Sequence, residues 1–393
     1  MNLGWVRENQ RVLAFLWGGI IALSMMRVWS SLFFTPIYLM ALLALIDRDT
    51  RKSLFELARN LPLPLTYFVL AAVSMLWAAS PELVAQAFRA DIVIPCLAFA
   101  GSFHVARQLD ARRRAEILLL GAWCGFLLGS LAGYAWFGGG WLDMLFDSVG
   151  YYSSYAFMLA GASVPFLNRN RRLVLYPLLV ALLFISQQRV AWVVFPFIGL
   201  ADALLCHRQG VSPKSLVVLV VLMIATSVGM LKLVAEKKPV DAFNVEVQAS
   251  SLLDRLAKNE RLRPWREWYE RGLESPIIGH GFGRDNVKYH FSGGGEWSER
   301  SLNHGHNILL NNFLQLGLLG VALYLAAQLQ LARFLIRHRE PLASAALFVL
   351  LFFLIRNLFD DFSFKRLLVV YALLVGWSIG GLSKRSASLD TTD

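Results

Sequence analysis

Two histidines separated by one glycine, His304 and His306, stand where a polar stretch turns apolar in SLNHGHNILLNNFLQLGLLG, residues 301–320. A free imidazole titrates at roughly pH 6.5, so a histidine at such a boundary can exchange a proton near neutrality. An ionisable side chain at the mouth of an apolar span is a functional candidate. The plain alternative is an interfacial histidine that caps the helix. Arg189 is the second such residue, set in SQQRVAWVVFP with apolar sequence on both sides. A guanidinium there is costly unless it faces a wet cavity or an anion, and its planar fork of donors matches phosphate oxygens. The alternative for Arg189 is a side chain that snorkels from a helix end.

A third group lies in NERLRPWREWYERGLESP, where Arg261, Arg263 and Arg266 alternate with aromatics. In a helix Arg261 and Trp265 share a face, one turn apart. Taken alone, the cluster reads as a basic face on anionic lipid; a lipid-linked phosphate at the membrane mouth is the other partner within its reach. Asp360 and Asp361, in RNLFDDFSFKR, offer paired carboxylates that would bind a metal or orient a base; the reading preferred is that they pair with Arg356, Lys365 or Arg366. Asp47-Arg48-Asp49 has the form of a metal-binding DxD but sits among basic residues, and is read as a solvated loop. His280, His290, His304 and His306 invite a zinc reading. Their spacing is unlike a helical HExxH, and no cysteine or evident carboxylate completes a set, so no metal site is expected.

The elements that must position these residues are membrane helices. Hydrophobic residues make up 56% of the 393-residue chain and charged residues 17%, against about 25% charged in a soluble domain. Mean hydropathy is +0.52. Apolar runs of the ~20 residues that cross a bilayer recur at about 12–29, 31–47, 61–79, 91–106, 116–137, 151–167, 173–187, 190–206, 215–235, 307–336, 341–358 and 366–383, some twelve spans in all. The net charge of +11 is therefore no nucleic-acid signal; much of it sits in short loops, where it sets orientation. Those loops place both termini in the cytoplasm. One long polar stretch, 237–306, falls on the opposite face and contains an amphipathic helix at about 259–274. Its Leu262, Trp265, Trp268, Tyr269 and Leu273 recur at helical spacing and suit a membrane interface. Proline after Ser275 ends that helix, and GHGFG and SGGGE read as flexible turns. The chain thus divides into spans one to nine over 1–236, the loop, spans ten to twelve over 307–383, and a cytoplasmic tail over 384–393. Cys96, Cys124 and Cys206 all lie in or beside apolar stretches, so no disulfide framework is expected. The first apolar run lacks a small-residue cleavage site and reads as a retained span.

Three of these segments together resemble the O-antigen ligase and polymerase superfamily. HGHNILLNNFLQLGLLG is similar to its hallmark of a histidine followed by asparagine and an apolar helix ending in Gly-Leu-Gly character. RLRPWREWYERGLESPIIGHGFG resembles a second signature through Arg261, Trp265, Pro276, Gly279 and Gly281. SQQRVAWVVFP resembles a third, an arginine opening a span. The resemblance implies an all-α integral membrane glycosyltransferase of the GT-C-like kind in the inner membrane of a Gram-negative bacterium, with its site on the periplasmic face. It implies transfer of a glycan from undecaprenyl pyrophosphate to a hydroxyl, with no cofactor or metal and no nucleic-acid partner. His306 would be the general base, and Arg189 and Arg261 would stabilise the pyrophosphate. His304, Arg263, Arg266, Asn307, Gln188 and Asp360 would contact substrate. The modest single loop resembles that of ligases acting on a lipid A–core acceptor, with inversion at the anomeric carbon. A polymerase shares the motifs, and a flippase for lipid-linked sugar is the reading from another class, although matched repeats are not found.

Overall fold

A computed structural model describes residues 9–28, 30–168, 262–292, 305–359 and 365–389. Every regular element among them is helical. The first half runs α1 Gln10–Ser24, α2 Ser30–Ile46, α3 Arg48–Asn60, α4 Pro62–Val73, α5 Pro81–Phe88, α6 Ile94–Gln108, α7 Ala111–Phe137, α8 Trp141–Phe146 and α9 Val149–Ser163. The second half adds α10 Leu262–Gly272, α11 Arg284–Ser292, α12 Ile308–His338, α13 Pro341–Phe359 and α14 Lys365–Leu389. A π-turn at Arg89–Val93 joins α5 to α6 without interruption.

Among the described residues, five helices are long and apolar enough to cross a membrane: Pro81–Gln108, Arg113–Phe146, Ile308–His338, Pro341–Leu358 and Arg366–Ser383. The bent pair Arg48–Asn60 and Pro62–Leu76 raises this to six if taken as one span. The expected spans at 173–187, 190–206 and 215–235 lie outside the described residues. Where expectation and structure can be compared, several elements differ. The apolar run at 12–29 yields a helix that stops at Ser24, and its Met25 and Met26 are fully buried beyond it. The run at 91–106 is the inner part of a longer helix that starts at Pro81. Its start is marked by Ser80, whose side chain accepts from Leu83 N, and by proline in the first turn. The loop expected at Asp47-Arg48-Asp49 is instead the start of α3. Asp47 caps it by accepting from Thr50 N at 3.1 Å, and Thr50 Oγ1 in turn meets Nδ1 of the buried His104 at 3.0 Å. The alternating charges of RDTRKSLFELARN leave α3 strongly amphipathic, and it turns by 86° at Leu61 into α4.

Two close helix pairs build the body. α1 lies along α7, and α14 lies along α6. The α1–α7 approach depends on small residues, since a Cβ at Gly18 would stand 1.9 Å from Leu118 O and one at Gly121 2.1 Å from Phe15 O. Between apolar helices packing rather than hydrophobicity drives association, and small residues let the backbones come close. α13 packs on α9, α12 and α14 at the centre. It carries Arg356, only 2% exposed, whose Nε donates to Ser154 Oγ of α9 at 3.2 Å.

The apolar segment 307–336, expected as one uninterrupted span, is broken. Gly317 has φ 66° and ψ −165°, so α12 consists of a short half-helix, Ile308–Leu316, and a long one from Leu318 to His338. Only glycine adopts that backbone region without strain.

Candidate functional site

The break in α12 leaves carbonyls at the end of the half-helix and N–H groups at the start of the long helix without helical partners. In an apolar surrounding each of these would cost several kcal/mol. The stretch 276–281 supplies the partners. Leu318 N donates to Pro276 O at 2.8 Å and Leu319 N to Ile277 O at 3.2 Å. His280 N donates to Leu314 O at 3.0 Å and Gly281 N to Gln315 O at 2.8 Å. The two backbones cross so closely that a Cβ at Gly279 would lie 2.4 Å from the Gln315 carbonyl. GHGFG is therefore a fixed strap and not a flexible turn. Asn286, fully buried, locks it further: Nδ2 donates to His280 O at 2.9 Å and to Gly281 O at 3.2 Å, while Oδ1 accepts from Ser80 N at 3.0 Å. Phe282 N donates to Ser74 Oγ at 2.9 Å. Gly283 N donates to the side chain of Gln315 at 2.8 Å.

This frame holds the residue singled out first. Asn307 has extended backbone and caps the half-helix: its Oδ1 accepts from Leu309 N at 2.8 Å and Leu310 N at 3.1 Å. Its Nδ2 donates to Leu358 O of α13 at 2.8 Å. The side chain expected to touch substrate is thus engaged as a cap and a cross-link. His306, just before it, is half-buried and left-handed at φ 47°, an uncommon conformation for a residue with a side chain. Gly305 N donates to Asn311 Oδ1 at 3.1 Å, and a Cβ at Gly305 would stand 3.2 Å from the Trp268 ring. The backbone of 305–307 is therefore fixed by α10, α12 and α13 together. The positive end of the half-helix also points to this turn and favours an anion there.

α10 corresponds to the amphipathic helix expected at about 259–274. Its aromatic face is divided between two environments. Trp268 is fully buried with Val287 and Leu314, and Phe291 packs against them. Tyr269 stacks on Phe313 at 5.9 Å yet remains half exposed, as does Leu273. Part of the face expected at the membrane interface is thus the core that seats the His306 turn. Arg266 is exposed and its Nε donates to Glu270 Oε1 at 2.8 Å. Arg263 lies in the first turn of the same helix. Arg189, Arg261, His304, Gln188 and Asp360 lie outside the described residues.

Sequence reasoning missed three features. Arg356 was read only as a partner for Asp360 but is buried at the α9–α13 contact; a cation one turn inside an apolar run was the available signal. Tyr67 of α4 donates to Asn312 Oδ1 at 2.7 Å, and Asn312 Nδ2 donates to Ile308 O at 2.8 Å, which ties the half-helix to the first half of the chain. The third is a carboxylate beside two histidines. Ligand atoms of Glu274, His280 and His290 all lie within 4.8 Å of one another. The pKa of His290 is held below its ordinary value by burial and by the His280 ring, with the Glu274 carboxylate opposing.

Among the described residues, these features define an all-helical architecture with several apolar helices of membrane-spanning length, whose broken helix presents a histidine turn on a buried frame. Residues 174–325 match the family model described as O-antigen ligase, a stretch that includes Arg189, Arg261, His304, His306 and the half-helix. The similarity to the O-antigen ligase family rests on that segment. A search of curated proteins finds no match to it.

Proposed function

We propose that this protein transfers O-antigen polysaccharide from undecaprenyl pyrophosphate to a sugar hydroxyl of lipid A–core, at the periplasmic face of the inner membrane. The observation that carries the reading is the His306 turn, held rigid at the positive end of a half-helix inside the segment that matches the O-antigen ligase model. His306 removes the proton of the acceptor hydroxyl. The hydroxyl oxygen attacks the anomeric carbon, the bond to the pyrophosphate breaks, and attack from the opposite face inverts the centre. Arg189 and Arg261 stabilise the charge that grows on the leaving pyrophosphate. His304, Arg263, Arg266, Gln188 and Asp360 contact the substrates. The step needs no divalent ion, because two guanidinium forks supply the neutralisation.

A cavity of about 400 Å³ supports a lipid-linked donor. Its walls are mainly apolar, including Phe68, Tyr324 and Tyr371, with Asp91, Arg284, Asn311, Gln315 and Gln328 among the polar residues that line it. An apolar cavity suits the hydrocarbon tail of such a donor. With some twelve spans and both termini in the cytoplasm, the loop 237–306 and the site share the periplasmic side. The test is a purified assay with lipid-linked glycan and lipid A–core. Glycan on lipid A–core is the expected product. Glycan lengthened on its own lipid carrier would make the protein a polymerase, and no product with transport of the intact carrier would make it a flippase.

A further inference from the structure

Glu274, His280 and His290 belong to three different parts of the frame: the chain just after α10, the glycine strap, and α11. Their ligand atoms lie within 4.8 Å of one another. His280 is buried, with Nε2 3.0 Å from the Arg271 carbonyl oxygen. A carbonyl only accepts, so Nε2 carries the proton and Nδ1 keeps its lone pair. A ring nitrogen donating to a backbone carbonyl while the other is left free is the usual support of a metal-bound histidine. The cluster is also braced. The His280 and His290 rings lie 4.5 Å apart, and the edge of Phe291 meets both, at 4.9 and 4.7 Å. The nearby cation, Arg271, sits over the Phe291 ring at 4.8 Å and is paired with Glu267, which offsets its repulsion of a bound ion.

We propose that Glu274, His280 and His290 bind one zinc-class divalent cation that clamps the end of α10, the strap and α11 together. Two imidazoles and a carboxylate form a donor set suited to zinc, with water in the remaining position on the exposed side. Zinc bonds of about 2.0–2.2 Å require ligands roughly 3.3 Å apart. Closing from the present separation asks for movement of Glu274 and His290, both of which are exposed side chains. The clamp takes no part in group transfer. It fixes the strap whose N–H groups serve the break in α12 and, through Trp268, the turn of His306.

The experiment uses full-length protein in detergent, stripped with chelator, reloaded with zinc chloride alone and freed of excess. Wild type should retain about one zinc per chain and unfold at a higher temperature than the stripped protein. His290→Ala and Glu274→Gln change exposed side chains; each should weaken zinc binding at least tenfold, while its stripped form melts with stripped wild type. His306→Ala should bind zinc as wild type does. Failure of wild type to retain zinc overturns the clamp, as does retention unchanged in both variants. Loss of zinc in His306→Ala would place the ion at the other histidines and overturn it equally. None of these readouts depends on transferase activity.

Discussion

Replacing Gly317 with alanine tests whether the break in α12 is built into the fold. The backbone there has φ 66° and ψ −165°. A Cβ would stand 2.2 Å from the Ile277 carbonyl carbon and oxygen and 2.5 Å from Ile278 N. The conformation alone costs a residue with a side chain about 1–3 kcal/mol. The Cβ also forces the two backbones apart, which weakens Leu318 N to Pro276 O at 2.8 Å and Leu319 N to Ile277 O at 3.2 Å, each bond contributing about 0.5–1.5 kcal/mol. Together these give a loss of roughly 2–6 kcal/mol, or a melting temperature lower by roughly 2–7 °C for a chain of this length. The control is Gly19→Ala in α1, where nothing lies within 4 Å of the added Cβ. There helix propensity should stabilise by about 0.5–1 kcal/mol. Melting in detergent and hydrogen exchange at the amides of 280, 281, 318 and 319 are measured for both. If Gly317→Ala melts with wild type, and the amides of 318 and 319 stay protected while those of 280 and 281 exchange freely, α12 is continuous and the strap does not serve it.

Turnover of His306→Ala should fall at least about a hundredfold, the lower end of what a general base contributes, with folding and donor binding kept; if only His304→Ala is inactive, the base is His304, and if both are active the histidines are structural. Arg189→Ala and Arg261→Ala should each lose turnover, and lysine at either position should restore it only in part, because a point charge cannot make the two-pronged contact; full activity of both alanine variants refutes the assignment. Asp47 titrates below the usual carboxylate range: burial pushes its pKa up, but the Thr50 hydroxyl and N–H, with His104 and Arg107, outweigh it. A depressed folded pKa gives stability that is present above the ordinary carboxyl pKa and lost as pH falls through the folded value. Asp47→Asn should therefore melt below wild type at neutral pH, and the gap should close in acid; a gap that is constant with pH refutes the cap's dependence on charge.

The helical, membrane-spanning character was legible because apolar runs report burial in lipid directly. The ends of α3 and α5 were also written locally, in Asp47 three residues before Thr50 and in Ser80-Pro81, yet the charges around Asp47 drew attention to solvation and away from capping. Trp268 shows a different limit. Periodicity places it on the aromatic face with Tyr269, but cannot say that Trp268 meets Val287 and Leu314 while Tyr269 stays half exposed. Burial of one side of a helix against a partner far along the chain is a tertiary fact. The same holds for Glu274: its spacing to His280 and His290 fits no metal motif, because the chain closes on itself through Gly279 and Gly281 to bring them together.

The least legible feature is the one on which the candidate site depends. The glycines of GHGFG and the glycine of LQLGLLG looked like separate punctuation, thirty or more residues apart. In the structure they are one device. Gly317 breaks the helix, and Gly279 lets a second backbone come close enough to satisfy the broken ends. Neither glycine is sensible without the other, since a break without the strap leaves buried polar groups unpaired, and a strap without the break has no groups to serve. The break in turn makes Ile308–Leu316 a short helix with its own N-terminus, inside the packed frame rather than at the end of a full span. That is why His306 can be both half-buried and backed by a helix dipole. A histidine on the end of an uninterrupted rod would have only solvent or lipid headgroups around it; here the fold holds it half-buried on a packed frame, at the positive end of a short helix.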